Sequence, residues 1–275
     1  MSDQPVPSPL PLRLAEPLTG PPGAPVLVLG NSLGTTAAVW DRQVGELSKS
    51  FRLLRYELPG HGGSAAAPGP YTIADLGAGL LALLDTLDVV RAGYCGISLG
   101  GMVGMWLAAH SPDRIAALGL VCTSAYLPPA ENWLSRAAQV RTAGPEAVSA
   151  AVIGRWFTPA YAAAAPAIIA KFRADFEGTD PEGYASCCEA IARMDLRADL
   201  AAITAPTLVL AGADDPATPP DHGATIAARI HGARLDVIPD AAHLAAVSAP
   251  DAVTDALSAH LAAAVAGDAS WRDGR

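Results

Sequence analysis

The sequence predicts an α/β fold: a mostly parallel sheet flanked by helices, with a block of helices inserted into it. Three observations carry this. Short, continuously apolar runs alternate with helical patterns from Val26 to Cys122, as strands buried on both faces of a parallel sheet do. The alternation stops near Thr123, gives way to helical segments from Pro128 to about Leu200, and resumes at Pro206. Within the alternating stretch, Gly96-Ile97-Ser98-Leu99-Gly100-Gly101 must turn the chain from strand to helix around a single serine. A side chain at position 96 or 100 is expected to collide with the neighbouring strand or helix, and Ser98 to hold a strained backbone.

Each element follows from local chemistry. The proline-rich stretch 1–24 reads as an extended lead-in, with Leu10 to Leu14 as an edge strand of the kind that starts an antiparallel hairpin. Val26 to Leu29 is a buried strand, and Gly30 to Thr35 a loop. A helix follows with Trp40, Val44 and Leu47 on one side. Phe51 to Glu57 is the next strand, and Leu58 to Ser64 a glycine-rich turn. Thr72-Ile73-Ala74-Asp75 reads as a capping box, opening a helix with Ile73, Leu76, Leu80, Leu84 and Leu87 at helical spacing. Gly93 to Ile97 is the strand entering the serine turn, Gly101 to His110 the helix leaving it, and Ala116 to Cys122 the next strand.

The inserted block holds helical candidates at Trp133–Val140, Pro145–Trp156, Pro166–Phe176 and Pro181–Met194. Pro206 to Ala211 and Leu235 to Ile238 restore the strand pattern, and Pro250 to Val265 is the last helix. Gly267 to Arg275 is expected to fray. The domain division expected is therefore a core of residues 1–125 and 201–275 and a helical cap, or lid, of residues 126–200.

Composition excludes several classes. The 275 residues are 51% hydrophobic, ample for a buried core, and the net charge of -9 argues against nucleic acid and against an anionic membrane surface. It also means that an anionic substrate would need a local basic group. No apolar run is long enough for a membrane span. Met1 to Pro5 shows no signal-peptide pattern. Cys95, Cys122, Cys187 and Cys188 lack metal-ligand spacing, so neither a metal nor a cofactor is expected, and reduced thiols suit the cytoplasm.

Serine is a weak nucleophile and needs a base held by an acid. In an open parallel sheet such groups collect at the carboxyl ends of strands. Among six histidines, His243 follows the last strand and completes the order serine, acid, histidine. His61 sits in a glycine-rich turn, where a structural role fits, and His110 ends a helix. His222 and His231 bracket a helical segment, and His260 lies inside the last helix. The acid should follow the preceding strand, where Asp214 and Asp215 are adjacent and only one can reach His243. An oxyanion hole needs two backbone N–H groups. Leu99 supplies one, and Ser32 or Leu33, in the loop after Val26–Leu29, the other, with Leu33 preferred.

With these pieces in place the chain resembles the α/β-hydrolase family over nearly all of residues 10–265, and within it the 3-oxoadipate enol-lactonases. The resemblance rests on Leu29-Gly30-Asn31-Ser32-Leu33-Gly34-Thr35 with Trp40-Asp41, on Gly69-Pro70-Tyr71-Thr72-Ile73, and on Tyr94 to Gly104 around Ser98. In the cap it rests on Arg155-Trp156-Phe157-Thr158-Pro159 and Gly183-Tyr184-Ala185-Ser186-Cys187-Cys188. Ala211 to Pro220 matches the acid loop, where the family's G-x-x-D pattern falls on Asp215. Two departures stand out. The glutamate that usually follows the histidine is absent from His243-Leu244-Ala245-Ala246-Val247-Ser248-Ala249-Pro250, and Pro59 occupies a position where many relatives carry arginine.

The resemblance implies an α/β-hydrolase fold and a Ser98–His243–Asp215 triad opening an enol-lactone to 3-oxoadipate through an acyl-enzyme, in the protocatechuate branch of aromatic catabolism. The expected partner is a small lactone or ester, with neither nucleic acid nor membrane, and a homo-oligomer stays open. The substrate's carboxylate calls for a polar or basic cap group. Trp133, through its indole N–H, is the family-like candidate, with Arg136, Arg155 and Arg193 behind it and Ser32 at the loop. Two rivals remain: a related hydrolase for another small ester or lactone, and a binding protein of the same fold that turns nothing over.

Overall fold

The computed structural model describes residues 9–272. A seven-stranded sheet in the order β1-β3-β2-β4-β5-β6-β7 forms its centre. The strands are β1 (Arg13–Leu14), β2 (Val26–Gly30), β3 (Arg52–Glu57), β4 (Ala92–Ile97), β5 (Ile115–Val121), β6 (Thr207–Gly212) and β7 (Arg234–Ile238). All neighbours run parallel except β1, which pairs antiparallel with β3 rather than with its sequence neighbour. Every residue of β4, β5 and β6 is buried, which explains their continuous apolar character. Each Leu, Ile or Val sealed there contributes ~1.5–3 kcal/mol of burial.

In the first half of the fold, α1 (Asp41–Leu47), α2 (Ile73–Thr86) and α3 (Leu99–His110) flank the sheet. The capping box of α2 forms in both directions: Asp75 N–H donates to Thr72 Oγ1 at 3.1 Å, and Thr72 N–H to Asp75 Oδ2 at 2.8 Å. Trp40 lies in a short 3₁₀ turn, Ala37–Trp40, ahead of α1, and its indole N–H donates to the Gly30 carbonyl at 3.1 Å.

Five helices then separate β5 from β6: α4 (Ala130–Ala143), α5 (Glu146–Trp156), α6 (Pro159–Ala164), α7 (Pro166–Glu177) and α8 (Pro181–Arg193). The short α6 was absent from the sequence pattern because its six residues are too few to show periodicity. Arg141 ties α4 to α8, meeting Glu182 at 2.8 Å and Glu189 at 2.5 Å. Phe172, Phe176, Trp156 and Tyr184 form an edge-to-face aromatic cluster beneath them.

The chain closes with α9 (Pro220–Arg229), α10 (Ala245–Ser248), α11 (Pro250–Gly267) and α12 (Ala269–Arg272). Here the expectation of a frayed end fails up to residue 272. Trp271 is fully buried, stacks on Phe51 at 5.6 Å and donates its indole N–H to the Val26 carbonyl at 3.3 Å. One large aromatic with a satisfied N–H outweighs the ordering cost of a short polar tail. Residues 273–275 lie outside the described residues, as does the start of the lead-in, residues 1–8. No helix among the described residues is long and apolar enough to cross a membrane.

Sheet order positions the site. From β2 the chain goes to β3 on one side, and β4 then lies on the other. Ligands in open α/β sheets bind at such a switch point, beyond the carboxyl ends of the strands. The register pairs Gly30 with Gly96, so the loop after β2 and the serine turn after β4 emerge side by side.

Candidate active site

Ser98 sits between β4 and α3 with φ 53° and ψ -114°, a region that non-glycine residues rarely occupy. Space forces this turn. A Cβ on Gly96 would fall on the Gly100 carbonyl group, and one on Gly100 on the Gly30 carbonyl group. The serine therefore stands at the end of α3, 7% exposed, with its hydroxyl at a cavity.

That cavity, of about 680 Å³, joins the sheet to the helical block. From the sheet side come Ser32, Leu33, Ser98 and His243; from the helical side Trp133, Arg136 and Arg155. Arg193 is not among its lining residues. All four substrate-binding candidates, Ser32, Trp133, Arg136 and Arg155, thus meet the candidate nucleophile and base in one space.

Behind His243 lies Asp215, not Asp214. His243 Nδ1 is 2.8 Å from Asp215 Oδ2, and both residues are buried. Asp214 is exposed, its carboxylate makes no hydrogen bond to His243, and its backbone N–H bonds to the Ala241 carbonyl. The Asp215 carboxylate also accepts the Ala217 and Thr218 N–H groups on Oδ1, at 2.8 and 3.1 Å, and the Thr218 hydroxyl on Oδ2, at 2.7 Å. Burial pushes its pKa up, but the imidazole beside it and the Thr218 bonds outweigh burial and hold it below the ordinary aspartate value. With Asp215 ionised, Nδ1 carries the proton and Nε2 is left to accept. Neither Nε2 nor the Ser98 hydroxyl makes a hydrogen bond among the described residues, to each other or elsewhere.

The backbone N–H groups of Leu33 and Leu99 likewise have no partner among the described residues. Their neighbours are spent. Gly34 N–H donates to His61 Nε2 at 2.9 Å, and Gly100 N–H to the Asn31 carbonyl at 3.0 Å. His61 is fully buried, and since Nε2 accepts, its Nδ1 donates to the Pro59 carbonyl at 2.9 Å. Burial lowers its pKa to about 4, so the ring stays neutral and works as a strut for the loop.

The helical side bears on the expectation for Trp133. The Trp133 indole N–H donates to the Leu127 carbonyl at 3.2 Å, so it already has an acceptor within the protein. Its ring face instead supports Arg136, whose guanidinium carbon lies 4.6 Å from the ring centroid. Arg136 and Arg155 have no carboxylate partner among the described residues, whereas Arg55, Arg91, Arg114, Arg141 and Arg197 all do.

Sequence reasoning missed Thr218, which binds both Asp215 and, at 3.3 Å, His243 Nδ1. The signal was the spacing Asp215-x-x-Thr218, the pattern by which an aspartate caps its own turn. It also missed Glu57, whose buried carboxylate accepts the Ala37 N–H at 3.0 Å and the Asn31 side-chain amide at 3.3 Å, bracketing the loop after β2.

A strained serine turn at the switch point, with a histidine and aspartate from later strand ends, defines a hydrolase built on an open α/β sheet. The chain belongs to the α/β hydrolase fold family, whose model matches residues 25–250. It is an ester-hydrolysing enzyme. It is similar to 3-oxoadipate enol-lactonase 2 of Acinetobacter baylyi, 39% identical over 235 residues, covering 86% of this chain and 88% of that one. The crystal structure of the enol-lactonase from Burkholderia xenovorans LB400 superposes with a TM-score of 0.88 at 43% identity, covering 91% of this chain and 96% of that one. RutD of Stutzerimonas stutzeri, whose name refers to a carbamate substrate, is 31% identical over 248 residues, covering 88% of this chain and 93% of that one.

Proposed function

We propose that the enzyme hydrolyses 3-oxoadipate enol-lactone, or a close relative bearing a free carboxylate, through an acyl-enzyme on Ser98. One observation carries this reading: a single cavity unites Ser98 and His243 with two arginines that lack a carboxylate partner among the described residues, on a protein whose net charge is -9. A guanidinium left unpaired at a catalytic cavity is a ready seat for a substrate anion that the overall field repels. Similarity to enol-lactonases supports the same substrate.

The steps follow from the residues. His243 Nε2 takes the Ser98 proton as Oγ attacks the lactone carbonyl, and Asp215 holds the imidazole and stabilises its charged form. The gap between hydroxyl and imidazole closes as the Michaelis complex forms, as catalytic hydrogen bonds often do. The Leu33 and Leu99 N–H groups receive the oxyanion. Collapse breaks the ring C–O bond, and His243 Nε2 passes the proton it took from Ser98 to the departing enolate, which becomes a ketone tethered to the acyl-enzyme and leaves the imidazole neutral again. Water, deprotonated by His243, then releases the second carboxylate. Arg136 is half-buried and stacked, Arg155 exposed, so Arg136 is the principal anchor and Arg155 lies at the rim. Helices α4–α8 act as the lid of a cap spanning 126–200 over a core of 1–125 and 201–275. The role assigned is a cytoplasmic step in the protocatechuate branch of aromatic catabolism.

The test is turnover of 3-oxoadipate enol-lactone beside phenyl acetate, by the wild type and by Ser98→Ala. Lactone hydrolysis that exceeds the ester's and falls by ~10⁴ or more in the variant is the expected outcome. Slow lactone turnover beside faster hydrolysis of the neutral ester would overturn the substrate, and full activity in Ser98→Ala would overturn the mechanism.

A further inference from the structure

The two N–H groups assigned to the oxyanion hole share a construction that their strand origins do not require. In a trans peptide, the C=O of one residue and the N–H of the next point in opposite directions. Leu33 N–H is therefore aimed by the Ser32 carbonyl, and Leu99 N–H by the Ser98 carbonyl; neither bond is among the cis peptides of the structure. The Ser32 carbonyl accepts the Thr35 N–H at 3.1 Å and the Thr35 hydroxyl at 2.9 Å. The Ser98 carbonyl accepts the Met102 N–H at 3.0 Å and the Thr123 hydroxyl at 2.7 Å. Each carbonyl has two donors, one backbone and one threonine hydroxyl. Both threonines are buried, at 1% and 3% exposure, and neither lines the cavity.

We infer that Thr35 and Thr123 are positioning residues: their hydroxyls lock the two peptides that hold the oxyanion, by hydrogen-bonding the carbonyl on the far side of each. The backbone donor alone leaves each plane free to rock about one bond, and the second donor removes that freedom. Two bonds to one carbonyl also polarise the peptide, which strengthens its N–H as a donor. The flanking peptides are already fixed, at the Asn31 carbonyl by Gly100 and at Gly34 N–H by His61, so the hydroxyls act on the planes that matter. A threonine on β5's exit reaching the serine turn, and one inside the loop after β2, thus do the same work on opposite walls.

This inference rests on the oxyanion role proposed above for Leu33 and Leu99. The test compares Thr35→Val, Thr123→Val and the double variant with Thr35→Ser and Thr123→Ser, using p-nitrophenyl acetate, phenylboronic acid as tetrahedral mimic, and thermal unfolding. Each Val variant is expected to lose about tenfold in kcat with KM within about twofold, because the donor persists but is no longer held, and the hole acts on the transition state. The inhibition constant of the boronate should rise by the same factor, and Ser should restore both. Wild-type kcat in folded Val variants overturns the proposal, as does a loss that Ser fails to restore. Where Val yields no soluble protein, Ala is measured against Ser, and equal kcat values overturn it. Ser98→Ala separates the two levels. If that variant is inactive while the Val variants match wild type, the threonine assignment alone falls; if it stays active, the oxyanion reading falls with it.

Discussion

Asp215, on the sheet side of the cavity, accepts four hydrogen bonds, whereas Arg136 and Arg155, on the helical side, have no carboxylate partner among the described residues. The sheet side is built to be finished before substrate arrives. Strands of fixed register deliver its residues, and its carbonyls, carboxylate and imidazole Nδ1 already have partners. Among the described residues the Ser98 hydroxyl, His243 Nε2 and the Leu33 and Leu99 N–H groups are left without a hydrogen bond at the cavity. The helical side leaves open the charges that would recognise a substrate. Preorganised dipoles lower a barrier, because no reorganisation is needed at the moment of reaction. Unpaired cations raise affinity for one class of ligand and do little to the barrier itself. The two walls should therefore separate cleanly in mutant kinetics.

The largest expected effect lies on the sheet side. Asp215→Asn keeps the shape of the side chain but can present an amide to Nδ1, which favours the wrong imidazole tautomer. A fall in kcat of about 10³–10⁴ is expected, equal for 3-oxoadipate enol-lactone and for phenyl acetate. Steady-state kinetics on both substrates checks this, and a loss confined to the lactone would break the division of labour between the walls.

The next effect lies on the helical side. Arg136→Gln should raise KM for the carboxylate-bearing lactone, lowering kcat/KM by about 10–100-fold, while phenyl acetate hydrolysis changes little. Arg155→Gln, at an exposed position, should cost less, within about tenfold. Equal losses on the charged and the neutral substrate would mean that the arginines hold the helical block together rather than hold an anion.

Legibility in the sequence follows the same division. The sheet strands were readable because both their faces are buried, and the serine turn because glycines at 96 and 100 have no alternative in so tight a space. The placement of Asp215 against His243 followed from strand order, with the choice over Asp214 resting on family pattern. The use of the Trp133 indole N–H was not readable, because its acceptor, the Leu127 carbonyl, becomes a partner only through the local path of the chain into α4. Thr35 and Thr123 were invisible for a related reason. A threonine in a loop carries no periodicity, and its value here lies in which carbonyl it meets. Trp271 stayed hidden because a short polar tail with one aromatic reads as solvent-exposed until its cavity against Phe51 exists.

The smallest predicted effect probes the price of a finished sheet side. Glu57 and Asp215 are both buried carboxylates at strand ends, yet their pKa values move in opposite directions. Asp215 has an imidazole and three further donors. Glu57 has backbone and amide donors, and burial outweighs them, pushing its pKa up to about 7. A carboxyl whose folded pKa lies above its unfolded value binds a proton more tightly when folded. Its contribution to stability is complete below about pH 4.5 and is lost as pH rises through about 7. Glu57→Gln keeps an acceptor for the Ala37 N–H and removes the titration. Between pH 5 and pH 8 the wild type should lose about 1–2 kcal/mol more unfolding free energy than the variant, a difference readable from urea midpoints at the two pH values. Parallel pH dependence in the two proteins would mean that Glu57 stays ionised throughout, its loop contacts already repaying burial as those of Asp215 do.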